Sequence, residues 1–211
     1  MSAENSSKKG SLEVICGPMF SGKSEELIRR LRRAQIAKQN VLTCKHSLDN
    51  RYMIECIISH DGKKLEAEAI GDVHDIFRLG KDSKIEVIGI DEVQWFDATI
   101  VSIISQLIEM GKRLIVAGYE LDFRGRPVGQ MPVLLSIADK VTKLQAICTL
   151  CGKDATLTQR LVNDKPAKFN DPDIVVGGSE QYQARCRNCH HVEYEVEKDR
   201  YTFKEFKLKQ I

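Results

Sequence analysis

The sequence predicts an α/β protein in which helices cover both faces of a parallel sheet, followed by a second and smaller lobe. Three observations carry this expectation. Short apolar runs alternate with amphipathic helical stretches over residues 12–144, as they do where strands are buried on both sides. The first of these runs leads straight into a glycine-rich loop and then a helix, an arrangement that receives phosphate groups. Beyond residue 144 the pattern changes to paired cysteines, short β-like pieces and a polar stretch rich in Gly, Asn, Asp and Pro, which sets a lobe at 145–192 apart from the core.

Composition narrows the class. The chain has 211 residues, 42% hydrophobic and 29% charged, enough to bury one ordinary core plus a small appendage. Its 32 basic and 30 acidic side chains leave a formal charge of +2, too little to gather nucleic acid or an anionic membrane by its overall field. Residues 1–11 are polar and are expected to form a flexible N-terminus without a signal peptide; no run of eighteen apolar residues occurs, so neither membrane association nor nucleic-acid binding is expected. Seven cysteines in such a chain point to thiols and metal in a reducing compartment, and the expected location is the cytoplasm.

The elements follow in order. Residues 12–16 read as a strand, and 24–38 as a helix with Leu27, Ile28, Leu31 and Ala34 on one face. Arg29, Arg30, Arg32, Arg33 and Lys38 are assigned to the other face, as solvated charges or intersubunit ion pairs rather than a nucleic-acid groove. Residues 40–44 and 85–90 read as further strands, the latter stopping at Asp91 and Glu92. A helix over 97–110 has Asp97 as N-cap and Gly111 as the residue just past its end, and 113–117 makes the next strand. In the second lobe 155–161 is β-like, 163–178 is polar, and the charged, irregular sequence from 193 to 211 reads as a tail.

Gly17-Pro18-Met19-Phe20-Ser21-Gly22-Lys23-Ser24 fits G-x-x-x-x-G-K-[ST] in the context its mechanism requires, after a strand and opening a helix. The loop amides and helix N-terminus form a positive nest for ATP phosphates, Lys23 adds a charge at the β/γ oxygens, and Ser24 offers an oxygen to Mg²⁺. Asp91, at a strand end, stands where a second metal ligand belongs. Glu92 beside it points in a different direction and faces the attacking oxygen as an acid–base group.

Cys148-x-x-Cys151 and Cys186-x-x-Cys189 supply four thiolates, the pattern of a closed structural Zn²⁺ site. The 34 residues between the pairs exceed the usual ribbon spacing, so the insert reads as a long loop whose two ends the metal pins together. His190 and His191 compete as ligands, with the paired spacing favouring Cys189, while Cys16, Cys44 and Cys56 read as core thiols.

Taken together, the P-loop, Asp91-Glu92-Val93-Gln94, Asp49-Asn50-Arg51-Tyr52, Asp122-Phe123-Arg124-Gly125 and the two cysteine pairs, in this order, resemble the type II thymidine kinase family. The resemblance runs from Leu12 to about Cys189. It implies a P-loop NTPase-like core, a zinc lobe with a lasso loop over thymidine, and a homotetramer. It further implies ATP and deoxythymidine as substrates and dTTP as feedback inhibitor. Glu92 resembles the family's base and Arg51 the side chain that steadies the phosphoryl group. Val93 and Gln94 accompany them at the nucleotide. Phe123 resembles the aromatic residue that stacks on the pyrimidine, and Tyr182, after Gly177 and Gly178, resembles the lasso tyrosine. Thr158 and Val175 fall at positions that face the thymine, and Asp49 belongs to the substrate side. Two positions depart from the family pattern: Trp95 stands where phenylalanine is usual, and Tyr119-Glu120 where Leu-Asp is usual. Both lie near the expected base pocket and bear on its size and selectivity. The rival readings are a P-loop ATPase or helicase-like protein whose zinc lobe grips nucleic acid, and a kinase for another small hydroxylated metabolite.

Overall fold

The computed structural model describes residues 9–48, 56–58, 64–172 and 181–193. Asp49, Asn50, Arg51, Tyr52, Val175, Gly177, Gly178 and most of the two terminal segments lie outside the described residues.

The core runs β1 (Ser11–Cys16), α1 (Lys23–Ile36), β2 (Val41–His46), β3 (Cys56–Ile58), β4 (Lys64–Glu66), β5 (Glu68–Ile70), α2 (Val73–Gly80), β6 (Val87–Asp91), α3 (Thr99–Glu109), β7 (Arg113–Gly118), α4 (Met131–Ile137) and β8 (Lys140–Lys143). Six of these strands form one sheet in the order β5-β2-β6-β7-β1-β8, and every pairing in it is parallel. β3 and β4 pair with each other as an antiparallel hairpin outside it.

Side-chain alternation explains why both faces carry helices. Along β1, Leu12, Val14 and Cys16 join Ile88, Ile90, Leu114 and Val116 in a layer with residues of α2, α3 and α4. Ile15 points the other way, with Val87, Ile115 and Ala117, and meets Leu27, Ile28, Leu31 and Ala34 of α1. Each such leucine, isoleucine or valine contributes about 1.5–3 kcal/mol on burial, so a one-residue slip of any central strand would exchange two apolar layers. The expected α/β class, with helices on both faces, is what the chain forms.

Boundaries moved by one to three residues. α1 starts at Lys23, β2 extends to His46, and β6 includes Asp91. α3 opens at Thr99 with Ala98 at its N-cap, one residue beyond the expected Asp97, whose Oδ1 still accepts the Thr99 N–H at 2.8 Å. Gly111 takes φ +82° just past the helix end, as expected. Arg30 corrects the reading of α1. It is buried, and it bonds Glu13 Oε2 at 2.7 Å, Glu26 Oε1 at 2.8 Å and Thr142 Oγ1 at 2.9 Å. Glu13 also receives Arg113 at 2.6 Å, so one buried carboxylate ties α1, β1 and β7 together, while Arg30 reaches β8. Glu26 is drawn down to about 2, chiefly by its hydrogen bond from Arg29.

The second lobe contains β9 (Ala146–Ile147), β10 (Asp154–Ala155), β11 (Leu157–Val162), β12 (Lys165–Pro166) and β13 (Tyr182–Arg185). β11 pairs antiparallel with both β12 and β13. Among its described residues the insert between the cysteine pairs carries four strands, β10 to β13, a correction to its reading as one long loop. Glu193 bridges Lys168, so the lobe extends one residue into the stretch read as tail. Among the described residues, no helix is long and apolar enough to cross a membrane. Cys16 and Cys44 are core thiols as expected, pushed by burial to about 11 and about 12; Cys56 is only half-buried.

Glu13→Ala should cost roughly 3 kcal/mol, because it takes from the buried Arg30 one of its two carboxylates and from Arg113 its partner. Denaturant unfolding measures it; a loss under about 1 kcal/mol would show that solvent already screens the arginine pair.

Candidate functional site

Parallel pairing brings the carboxyl ends of β1, β7 and β6 to one edge of the sheet, and ligands of open parallel sheets bind at that edge. The phosphate loop leaves β1 there. Gly17 takes φ +147°, and a Cβ on it would lie 2.6 Å from the Leu144 carbonyl oxygen, so no side chain fits. Pro18 supplies the carbonyl that gathers Ser21 Oγ at 2.8 Å and Lys23 Nζ at 2.7 Å. Gly22, at φ +81°, caps α1 and turns the chain into the helix that Lys23 and Ser24 begin. Two contacts tie this loop to the second lobe: the Met19 N–H donates to Thr158 Oγ1 at 3.0 Å, and Phe20 packs on the cluster of Ala146, Ala155 and Ala184.

At the end of β6 both acidic residues are buried, Asp91 to 5% and Glu92 to 8% exposure. Glu92 adopts left-handed φ +53°, which turns its side chain out of the strand's alternation. Its N–H donates to Asp91 Oδ1 at 3.1 Å. Val93, Gln94 and Trp95 make one turn of 3₁₀ helix; within it Gln94 Nε2 donates to Glu92 Oε2 at 2.5 Å, and Trp95 Nε1 to the Tyr119 hydroxyl at 2.9 Å.

Two neighbours escaped sequence reasoning. Lys45 is 1% exposed and in register with Asp91 on the adjoining strand; its signal was a lysine set inside an apolar strand. His46 follows it. The ring stands edge-on to Trp95 at 6.0 Å and tilted against Phe96 at 4.6 Å, and Nδ1 accepts the Leu48 N–H at 3.1 Å. Burial lowers its pKa, with Glu92 opposing.

On the opposite side, Phe123 is buried with Ala167, Phe169 and Val192, and the guanidinium groups of Arg124 and Arg160 lie 4.3 Å and 5.5 Å from its ring centre. The same arginines hold the approach to the undescribed stretch 173–180: Arg124 donates to the carbonyls of Phe169 and Asp171 at 2.6 and 2.5 Å, and Arg160 donates to that of Pro172. Tyr182 lies buried on β13, opposite Arg160.

The four cysteine sulfurs of Cys148, Cys151, Cys186 and Cys189 lie within 4.8 Å of one another, and Cys151 and Cys186 are 3.6 Å apart. A tetrahedron of Zn–S bonds of about 2.3 Å has sulfur–sulfur edges of about 3.8 Å, so the donor set fits that ion. The thiols of Cys151 and Cys186 push Cys189 up to about 12: sulfurs this close cannot all ionise unless a cation lies among them. Neither histidine belongs to this set. His190 Nε2 faces the Phe123 carbonyl at 2.8 Å, and His191 exchanges two backbone hydrogen bonds with the Gln159 side chain.

A glycine loop opening a helix on a parallel sheet, an acidic strand end at the same edge and a four-cysteine lobe packed against the loop define a P-loop protein with an appended cysteine lobe. Residues 10–190 match the family model described as Thymidine kinase. With most of its length matched, the chain belongs to the thymidine kinase family and is a kinase of that kind.

Cys148→Ser or Cys186→Ser should lower thermal stability and activity together, because closing such a site is part of the folding free energy of its lobe. Elemental analysis should find one zinc per chain. Active, stable protein without zinc would remove the metal from the fold.

Proposed function

We propose that this enzyme transfers the γ-phosphoryl group of ATP to the 5′-hydroxyl of deoxythymidine, and of deoxyuridine, giving the 5′-monophosphate for deoxynucleoside salvage. The observation that supports it best is the common edge, where the phosphate loop of β1 and the acidic end of β6 open on either side of β7. Family membership implies ATP and thymidine as substrates, and the residue roles below are assigned on that basis.

The amides of residues 17–24 and Lys23 bind the triphosphate, with Val93 and Gln94 beside it. Ser24 Oγ and the Asp91 carboxylate are the oxygen donors that would hold Mg²⁺, which neutralises charge on the β and γ phosphates. Glu92 takes the proton of the 5′-hydroxyl while that oxygen bonds to the γ-phosphorus and the bond to the β-bridging oxygen breaks, releasing ADP. Arg51 steadies the transferring group, which gains mostly from positioning and charge neutralisation. On the nucleoside side Phe123 stacks on the base, Tyr182, Val175 and Gly177 close over it, and Thr158, Asp49, Trp95 and Tyr119 complete the surroundings. Thr158 suits that place, since its hydroxyl already joins lobe to phosphate loop. We further propose a cytoplasmic homotetramer inhibited by dTTP, whose base would occupy the nucleoside pocket while its phosphates reach the loop from the acceptor side.

Glu92→Gln keeps size and hydrogen-bonding reach but loses basicity, so turnover should fall roughly 10²- to 10⁴-fold with nucleotide affinity nearly unchanged. Near-normal turnover at saturating substrates would exclude Glu92 as base. Among acceptors, deoxythymidine and deoxyuridine should both react, their one methyl being worth about 1–3 kcal/mol. Deoxycytidine should be poor, because its reversed donor–acceptor edge leaves buried groups unpaired at about 1–3 kcal/mol each. Efficient phosphorylation of deoxyguanosine would contradict the pocket.

A further inference from the structure

We propose that Tyr119 is a positioning residue for Glu92, acting through Trp95 and the 3₁₀ turn that carries Gln94. The proposal rests on Glu92 being the base.

Two side-chain hydrogen bonds meet in one turn at the ends of β6 and β7, one between the buried Glu92 and Gln94 and one between the half-buried Trp95 and Tyr119. Gln94 Nε2 carries two N–H bonds, and one is engaged by Glu92 Oε2. The next residue of the turn, Trp95, donates its backbone N–H to the Glu92 carbonyl at 3.1 Å. Burial dominates at the phenol and pushes it up to about 12, against the Trp95 hydrogen bond and the nearby Gln94 amide, with Glu92 and Tyr182 adding to the rise. Trp95 Nε1, a donor with no acceptor capacity, fixes the phenol oxygen at 2.9 Å. The phenol therefore remains neutral, with its oxygen turned to the indole.

Gln94 has no room to swing away. A Cβ at Gly118 would lie 2.3 Å from Gln94 Oε1, and one at Gly129 would lie 2.4 Å from the Gln94 backbone oxygen. Gln94 Oε1 is buried without a hydrogen-bond partner. Turning the amide over would bring that oxygen against the Glu92 carboxylate, two acceptors facing each other, so the observed orientation is the one electrostatics permits. With Oε2 of Glu92 tied to this amide, Oε1 is the oxygen assigned the acceptor's proton. Trp95 and Tyr119, 24 residues apart in sequence, thus hold the turn whose Gln94 fixes the orientation of the carboxylate. Buried networks of this kind couple their members beyond the sum of pairs.

A double-mutant cycle tests this on the full-length enzyme, using Tyr119→Phe, Glu92→Gln and the double variant. Tyr119→Phe removes one oxygen and leaves the ring of the wall in place. Its kcat for deoxythymidine should fall by about tenfold with KM for ATP unchanged, as misplacement of a catalytic group by a fraction of an ångström does. In the Glu92→Gln background the same change should have no further effect on kcat. Additive losses would overturn the proposal, and so would a Tyr119→Phe enzyme whose only defect is a raised KM for the nucleoside, which would make Tyr119 a wall of the pocket. Should Glu92→Gln alone retain near-normal turnover, the base assignment fails, a result distinct from additivity. If Tyr119→Phe does not fold, Trp95→Phe replaces it in the cycle with the same expectations.

Discussion

Everything at the site depends on the parallel pairing of β1 with β7 and of β7 with β6. An antiparallel neighbour would send its carboxyl end to the far edge, and the phosphate loop and the acidic pair would then lie a strand's length apart. Parallel strands need crossover helices, and those helices cover both faces. The apolar density of β1, β6 and β7 is thus a precondition of the chemistry. So is Glu13, the charge set inside this apolar region, because its two arginines bind the first helix to the strand from which the phosphate loop departs.

The second lobe reaches the site by three routes that share one origin. Its cysteine pairs close the ends of a sheet too small to hold a core of its own, and from that closure come the Thr158 hydroxyl on the Met19 amide, the alanines under Phe20 and the His190 ring on the Phe123 carbonyl. One of these holds the phosphate loop by its backbone, another cushions it, and the third holds the loop that bears Phe123. Loss of the lobe's closure would be felt at the phosphate loop and at Phe123, although none of the four cysteines belongs to either. Arg124 and Arg160 extend the same support to residues 169–172, at the entry to the stretch beyond.

Legibility followed sequence range. The phosphate loop, the strand–helix alternation and the cysteine pairs are local patterns with a single physical reading, and they were readable to within a few residues. Arg30 was misread because a helical face was judged by its own residues. It lies three beyond Leu27 and four before Ala34, at the border of the apolar face, and what buries it is Glu13 on another element. A glutamate between Leu12 and Val14 was the available clue. The insert between the cysteine pairs was misjudged for a related reason: β12 has two residues and β13 four, too short for periodicity to register, and both exist only by pairing with β11. The Trp95–Tyr119 bond was invisible to any local pattern, although both residues had been marked as unusual.

The backbone at Glu92 shows what this arrangement serves. A non-glycine residue in the left-handed region costs of order 1–3 kcal/mol unless its surroundings compensate. Here the Glu92 amide donates to Asp91 and its carbonyl accepts the Trp95 N–H at 3.1 Å, so the turn is braced on both sides of the strained residue. Glycine would adopt the same conformation without strain. Its absence at this position means that the side chain is worth the conformational cost, and among side chains only a carboxylate both accepts from Gln94 and takes up a proton. Strain, buried charge and the hydrogen bond from Gln94 coincide on one residue, at the point where a strand that begins in the hydrophobic core reaches the edge that opens to substrate.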